Sequence, residues 1–345
     1  MSSPLPLAPT SPSGRPRILY AKLAAFAVLA LLPGLLLSDS RYFATIVLVA
    51  IFATVAVSLD LLLGFAGQLA LGQTALFGVG AYTWAVLTTR HDVSSELALL
   101  CAVAAAFSLA LLTSPLLRLR GFYFALATLA LVIVAHEVFV NWIAVTGGAS
   151  GLVGIGSFSF FGLEVTSQTQ SYLFAYVVLL IAVVAAVHMR HSRFGRSLVA
   201  IREDETAAEA LGIDVFRAKI RVWLIAAVFA GLAGVVYASY LRFLSPAQFG
   251  LEPTIYLLAA IVIGGTGSVY GAVIGVAVVW MLPELLSGFE KYAVLALGIA
   301  VIVLVILAPD GLAGRLSRLF GLAWARLRGS RARMAAGPPS TGEAR

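Results

Sequence analysis

Long runs of apolar residues, separated by short polar or basic segments, fill most of the sequence between residues 18 and 308. A helix needs about 20 mostly apolar residues to cross a bilayer. These runs are rich in Leu, Ala and Val and lack the alternation of barrel strands. Because backbone groups in lipid must be paired internally, helices fit the pattern. It predicts an all-α polytopic membrane protein with about ten spans, near residues 18–37, 42–62, 74–89, 96–113, 122–142, 172–188, 222–241, 254–265, 269–283 and 291–308.

Composition supports a lipid environment. Of the 345 residues, 61% are hydrophobic and only 11% are charged, whereas soluble domains carry roughly 25% charged residues. This balance excludes a soluble enzyme, a secreted disulfide scaffold and a disordered protein. The net charge of +7 does not indicate a nucleic-acid partner, because the basic residues lie between apolar runs and form no patch. The one cysteine, Cys101, has no partner for an internal disulfide, and we expect it to pack as a small apolar residue.

The positions of Lys and Arg predict the orientation of the spans. With the N-terminus inside, 19 of the 23 basic residues fall on the inner side, as the positive-inside rule requires. We therefore expect a multi-pass membrane protein with both termini cytoplasmic. The predicted organisation is a disordered leader at 1–17, a transmembrane domain at 18–308 with a cytoplasmic loop at 189–221, and a basic tail at 309–345.

Two uncharged runs contain the features most suggestive of a transport route. The runs 61–89 and 254–283 contain 29 and 30 residues, too many for one upright span, and each includes five glycines. Paired glycine-broken segments in the two halves indicate a weak two-fold organisation and a translocation pathway. Close packing of small residues between helices is the alternative. The pathway candidates are Asp60, Gln68, Gln73, Thr74, Gly264, Gly265, Thr266, Gly267 and Ser268.

The loop at 189–221 is predicted to form two short helices. Leu198, Ile201, Ala208 and Leu211 share one helical phase and predict an apolar stripe. Thr206 and Glu209 fit a capping box, which predicts a helix over 207–211, and Gly212 suits the left-handed residue that ends it. We expect a docking helix for a cytoplasmic partner, although a solvated connector has the same pattern. Its candidate residues are Glu205, Thr206, Ala207, Ala208, Glu209, Ala210, Leu211 and Gly212.

Motifs of an enzyme or of a self-contained pump are missing from the sequence. It contains no phosphate-binding loop of the form GxxxxGK[ST], no His/Glu pair with zinc spacing and no nucleophile elbow. Transport driven by ATP would therefore need an ATPase on another chain. A secondary carrier would need ionisable relay groups within the bundle. The candidates, Asp60, His136, Glu137 and His188, are few, and a stand-alone channel or secondary carrier stays as the alternative.

Several segments in order resemble the permeases of branched-chain amino acid ABC importers, and most closely the M-type subunit. They are Ser192–Asp214, which is similar to the family's coupling segment, and Leu61–Gln73, Leu117–Phe124, Thr146–Leu152, Ala230–Gly234 and Gly264–Ala272. The resemblance covers roughly residues 40–310. The sequence departs from it at Asp60, where many members have Asn, and around Ile133 and His136, where many have an acid and Arg.

The resemblance implies a permease for leucine, isoleucine and valine, with urea or short amides as the alternative substrates. It implies three kinds of partner besides the lipid bilayer: a homologous sister permease, two cytoplasmic ATPase subunits that use ATP and Mg, and an extracytoplasmic substrate-binding protein. It implies no cofactor on this chain. The residues around Glu205–Gly212 would meet the ATPase.

Overall fold

The computed structural model describes residues 23–32, 42–160 and 163–285, together with the isolated positions Gly298 and Gly311. Within these ranges the longer helices are α1 (Leu23–Leu32), α2 (Phe43–Asp60), α3 (Gln73–Arg90), α4 (Ser95–Thr113), α5 (Phe122–Asn141), α7 (Gln168–His191), α8 (Arg193–Glu203), α10 (Val215–Leu241), α11 (Leu251–Gly264) and α12 (Val269–Leu285). Two short helices are α6 (Ile143–Thr146) and α9 (Glu205–Ala210).

Strands are confined to two small antiparallel pairs in the described part of the chain. Strand β1 (Leu152–Val153) pairs with β4 (Phe243–Leu244), and β2 (Ser159–Phe160) pairs with β3 (Leu163–Glu164). Each strand has only two residues, so the pairs fasten connections between helices and do not form a layer of their own.

Helices α2 and α10 form the centre of the bundle, and α3 packs closely on α10. A Cβ on Gly80 would lie 2.6 Å from the Gly231 Cα, and one on Gly234 would overlap the Phe77 carbonyl. Small residues therefore bring the two backbones together, as in many membrane helix pairs. Aromatic rings fill the space beside this contact, and those of Phe77 and Tyr237 have centroids 5.1 Å apart.

Helix α4 shows how a small-residue stripe sets which side of a helix faces inward. Ala98, Ala102, Ala106 and Ala110 recur at every fourth position and are fully buried. Cys101 falls outside this stripe and is exposed. The small apolar packing expected at Cys101 is therefore not found within the described part of the chain, because a wholly apolar helix gives no polar positions from which to identify its outward side.

The connections alternate between the two ends of the bundle. Residues 61–72, 114–121, 192–214 and 265–268 lie at one end, which we call the junction end. Contacts across it include Arg120 to Glu205, with Nε 3.5 Å from Oε2, and Asp60 to Gly267. The opposite end includes residues 91–94, 142–167 and 242–250, where the β1–β4 pair joins two of the connections and Arg90 donates to the Ala144 carbonyl.

The all-α class and the polytopic membrane character predicted from the sequence are confirmed. Six helical segments in the described part of the chain are long and apolar enough to cross a membrane, and Leu23–Leu32 and Val269–Glu284 are shorter apolar helices. The count of about ten spans stays a prediction. The predicted leader at 1–17 lies outside the described residues, as do the span at 291–308 and the tail at 309–345 apart from Gly298 and Gly311.

Candidate functional site

The first uncharged run changes its backbone geometry at the junction end. Helix α2 continues into a π-helical turn at Leu61–Phe65, a wider turn that is often found at functional sites. The backbone from Gly67 to Gly72 is then non-helical until α3 begins at Gln73. Gly67 has φ +68°, a left-handed conformation that glycine adopts without steric penalty. The predicted break therefore falls between two buried helices.

The second uncharged run turns back between α11 and α12. Gly265 and Gly267 have φ values of +102° and +78°, so both positions need glycine. Ser268 accepts a hydrogen bond from the Gly271 backbone N–H, with Oγ and N 3.1 Å apart, at the first turn of α12. The two helices lie so close that a Cβ on Gly264 would overlap the Gly271 carbonyl.

The two breaks meet through the carboxylate of Asp60. Its Oδ1 accepts a hydrogen bond from the Gly267 backbone N–H at 2.7 Å, and the side chain is only 1% exposed. The contact is possible because a Cβ on Gly64 would overlap both Asp60 and the Gly267 backbone. Arg202 of α8 donates to the Gly64 carbonyl. A buried charge needs partners of this kind.

The helical loop differs in detail from the sequence prediction. The N-cap of α9 is Asp204, whose Oδ1 accepts from the backbone N–H groups of Thr206 and Ala207 at 2.8 and 3.0 Å. The helix spans Glu205–Ala210, so the predicted capping box at Thr206 and the range 207–211 were wrong. Asp204 caps the first free N–H groups of the helix, so Thr206 lies within the first turn and is not the N-cap.

The end of α9 follows the prediction. Gly212 has φ +82°, and its N–H donates to the Glu209 carbonyl at 2.9 Å while the Ile213 N–H donates to Ala208 at 3.1 Å. These two hydrogen bonds form a Schellman motif, which satisfies the last carbonyls of the helix.

Helix α9 presents opposite sides to the protein and to its surroundings. Ala208 is 1% exposed and belongs to the same buried core as Leu198 and Ile201, whereas Leu211 is 80% exposed. Three small residues of the helix are exposed as well: Thr206, Ala207 and Ala210. Ala208, one of the candidate docking residues, therefore faces the protein, and the prediction that Leu211 continues the apolar stripe was wrong. The stripe ends because the helix has already ended at Ala210.

Glu205, the first residue of α9, contacts three parts of the chain. Its Oε1 accepts from Gln68 Nε2 at 3.0 Å and lies 2.6 Å from Lys219 Nζ. Its Oε2 lies 3.5 Å from Arg120 Nε. Lys219 is 2% exposed, so its ammonium group depends on this carboxylate as a counter-ion. Gln68, a pathway candidate, thus joins the candidate docking helix.

The start of α3 brings together the remaining polar candidates of the first break. The Thr74 hydroxyl hydrogen-bonds Thr254 of α11 at 2.6 Å, and the Leu71 N–H donates to Thr128 of α5 at 3.0 Å. Gln73 is 1% exposed, and neither polar atom of its side chain has a partner in the described part of the chain. Such a group usually marks a place that another molecule, often water, completes.

The structure thus brings most of the sequence candidates to the junction end, with different surroundings. Asp60 and Gly267 touch, Gln68 contacts Glu205, and Gly264 and Gly265 form the tight turn. Thr266 is exposed at the same end and Ser268 is partly exposed. Gln73 and Thr74 lie at the first turn of α3, with Thr74 bonded to α11.

Sequence reasoning missed Arg202, Lys219 and Thr254. Arg202 and Lys219 lie among several basic residues of one polar loop, and nothing in their spacing separates them from solvated charges. A weak signal existed for Lys219, because it falls on the same side of α10 as Val215 and Val222, both of which are buried. Thr254 is an isolated threonine at the start of an apolar run, where a contact to α3 cannot be foreseen.

Comparison with known proteins places these features in a family context. The profile of the family described as "Branched-chain amino acid transport system / permease component" matches residues 41–308. The chain is similar to the high-affinity branched-chain amino acid transport system permease protein LivM of Salmonella typhimurium, with 31% identity over 289 residues, which cover 76% of this chain and 67% of that protein. LivM of Escherichia coli is also 31% identical, over 292 residues, which cover 77% and 68%.

A second kind of permease from the same transport system is similar over a shorter stretch. The high-affinity branched-chain amino acid transport system permease protein LivH of Salmonella typhimurium is 30% identical over 165 residues, which cover 47% of this chain and 52% of that protein. The similarity therefore extends to both named permeases of one system.

The contact between the two breaks predicts that two substitutions at Asp60 differ in their effect on the α11–α12 turn. Asp60→Leu removes the acceptor for the Gly267 N–H, and a buried unpaired donor costs about 1–3 kcal/mol. We expect hydrogen–deuterium exchange of the 264–272 peptide to accelerate roughly 10- to 100-fold, since 1.4 kcal/mol is a factor of ten. Asp60→Asn keeps an acceptor oxygen and should exchange at nearly the wild-type rate. Equal exchange in both variants would show that the hydrogen bond does not hold the turn.

Proposed function

The chain belongs to the branched-chain amino acid transport system permease family, and we propose that it is a membrane-spanning subunit of an ATP-driven importer of leucine, isoleucine and valine. The observation that carries this proposal is the match of the family profile over residues 41–308. The similarity to LivM over three quarters of the chain agrees with it. The role is transport and not catalysis.

The importer would contain further subunits. The relatives named LivM and LivH support a pair of permeases, with this chain as the LivM-like member. Two ATPase subunits would bind and hydrolyse ATP with Mg²⁺ on the cytoplasmic side, and a binding protein would deliver the substrate from outside.

We assign the junction end to the cytoplasm in this proposal. Among the described residues, most Lys and Arg side chains belong to segments at this end, including Arg120, Arg202 and Lys219, in keeping with the positive-inside rule. Both termini would then be cytoplasmic in a bacterial inner membrane, with the basic tail at 309–345 on the same side.

The outer side of α9 is the surface best suited to an ATPase subunit. Thr206, Ala207 and Ala210 are small and exposed, so another protein could approach the helix backbone closely. Leu211 adds an apolar side chain that is 80% exposed at the tip of the loop. An exposed leucine between polar residues gains free energy when a partner buries it.

A displacement of α9 and α8 would reach both glycine breaks over a few contacts. Arg202 at the end of α8 donates a hydrogen bond to the Gly64 carbonyl, and Gly64 packs against Gly267. Asp60 accepts a hydrogen bond from the Gly267 N–H. Glycine turns are easier to deform than helices because they lack side-chain constraints. ATP-driven movement of the loop would thus bend the α11–α12 turn and alternate the access of the substrate.

The pathway itself would be mainly apolar with a few neutral polar groups. A branched-chain amino acid carries an ammonium, a carboxylate and an apolar side chain, so neutral groups can replace water without trapping either charge. Gln73, which is buried and has no partner for its amide in the described residues, and Thr74 offer such groups beside Gly72. We therefore keep these positions, with the Gly264–Ser268 turn, as the proposed lining.

Uptake measurements test the substrate. A strain that lacks this permease should regain ATP-dependent uptake of radiolabelled leucine when the chain is expressed with its partner subunits. Excess isoleucine or valine should compete, because the same apolar groups accept them. Competition by urea or acetamide alone would favour the amide alternative, and uptake without any ATPase subunit would favour a channel or secondary carrier.

Leu211→Asp tests the docking surface. Burial of a leucine is worth about 1.5–3 kcal/mol, and a carboxylate adds a desolvation penalty, so the amount of ATPase that co-purifies should fall by about tenfold or more. Val153→Asp is the matched control, because Val153 is also exposed, at 70%, but lies at the opposite end of the bundle. Normal co-purification of Leu211→Asp would exclude the tip of α9 from the interface.

Cysteine accessibility tests the pathway, in a Cys101→Ala background. Gln73→Cys is buried in the described state, so it should react with a small water-soluble thiol reagent faster during ATP turnover. Ala85→Cys on the same helix is the control, because Ala85 is fully buried in the α3 packing and should stay protected. Protection of Gln73→Cys in an uptake-competent complex, with and without ATP, would contradict a lining role.

A further inference from the structure

Glu205 stands between the candidate docking surface and the first glycine break. It is the first residue of α9, and its side chain turns inward, 19% exposed, while the outer side of the helix is free in this chain. One oxygen, Oε1, receives both the Lys219 ammonium and the Gln68 amide. Gln68 follows Gly67, the left-handed residue of the break. One carboxylate oxygen therefore joins α9, α10 and the non-helical segment.

We propose that Glu205 is a positioning residue, and that its hydrogen bond from Gln68 carries the movement of α9 to the first glycine break. The proposal rests on the proposed function, because it assigns a role in coupling ATP hydrolysis to transport. It goes further by naming the contact inside this chain through which the coupling passes.

A purely structural role would explain only part of the geometry. Lys219 is 2% exposed, so it needs a counter-ion wherever α9 lies. That requirement is met by the contact of 2.6 Å between Lys219 Nζ and Glu205. It does not require Gln68, whose amide points 3.0 Å from the same oxygen while its own carbonyl oxygen has no partner in the described residues. The glutamine is thus held to α9 by this one side-chain hydrogen bond.

The segment that Gln68 holds is easily displaced. Gly67 packs against the Arg202 side chain, and the Gln68 backbone N–H bonds only to the Leu62 carbonyl at 2.9 Å. Arg202 also donates a hydrogen bond to the Gly64 carbonyl, so the loop contacts the first glycine break on both sides of Phe65. Loss of the hydrogen bond from Gln68 should leave α9 docked to the ATPase but less able to move the break.

Two paired substitutions separate the hydrogen bond from the ion pair. Glu205→Gln with Lys219→Met removes both charges and keeps an acceptor oxygen for Gln68. Glu205→Leu with Lys219→Met removes the charges and the acceptor. Replacement of a whole buried ion pair by neutral residues of similar size is usually tolerated. Arg120 is 65% exposed and remains in contact with water in both variants. The two variants therefore differ chiefly in the Gln68 hydrogen bond.

The measurement is the number of ATP molecules hydrolysed per leucine imported by the complete complex in proteoliposomes. We expect the Leu/Met variant to assemble normally and to hydrolyse ATP at a near wild-type rate, with a ratio about tenfold higher, in line with loss of a hydrogen bond to a charged group. The Gln/Met variant should keep the wild-type ratio. Gln68→Met leaves the ion pair intact and should raise the ratio as much as the Leu/Met variant does. Gln68→Met added to the Leu/Met variant should not raise the ratio further.

Each other result overturns the proposal. A wild-type ratio in the Leu/Met variant or in Gln68→Met shows that the hydrogen bond does not transmit movement. Equal defects in the Leu/Met and Gln/Met variants assign the effect to the ion pair, and additive defects place Gln68 in a separate role. If the paired variants do not assemble, Gln68→Met decides alone. Failure of the proposed transport function would give a different result from failure of this coupling proposal, because the wild-type complex itself would then import no leucine.

Discussion

The backbone N–H of Gly267 lies between the end of α11 and the start of α12, where no helical turn supplies an acceptor for it. Asp60 supplies that acceptor from the end of α2 at 2.7 Å. Because both groups are buried, neither can form a hydrogen bond with water instead. The contact therefore fixes the position of α2 relative to the α11–α12 turn. The packing around this contact follows from it. Gly64 must lack a side chain for α2 to approach Gly267, and α8 can then reach the Gly64 carbonyl through Arg202.

The loop that contains α9 has one side packed against the helical bundle and one side exposed. Ala208 and Glu205 face inward and bind the loop to its own chain. Leu211 and its small neighbours face outward. This division into an inner and an outer side follows from the length of α9. A helix of six residues has fewer than two turns, so it ends before a long stripe of buried residues can form. A partner can thus contact the loop without competing with its intramolecular contacts.

The sequence alone determined the class of the protein and several positions where the backbone needs glycine. Lipid requires long apolar helices with internally paired backbones, so the all-α membrane class could be read from hydropathy. The positions of the breaks also followed from local chemistry. Glycines such as Gly265, Gly267 and Gly212 adopt backbone conformations that other residues avoid, and that property belongs to the residue itself. For the same reason the left-handed Gly212 that follows α9 was predicted correctly.

Only the tertiary structure decided which polar residues meet. Asp60 and Gly267 are 207 positions apart and Gln68 and Glu205 are 137 apart, and no local pattern relates partners across such distances. The loop showed the same limit: Ala208 and Leu211 have similar apolar character, yet one is buried and the other exposed, because the surface of α10 and α8 covers only one side of α9. Burial in a membrane bundle depends on which helices are neighbours. Where nearly every residue is apolar, the sequence carries little information about that choice.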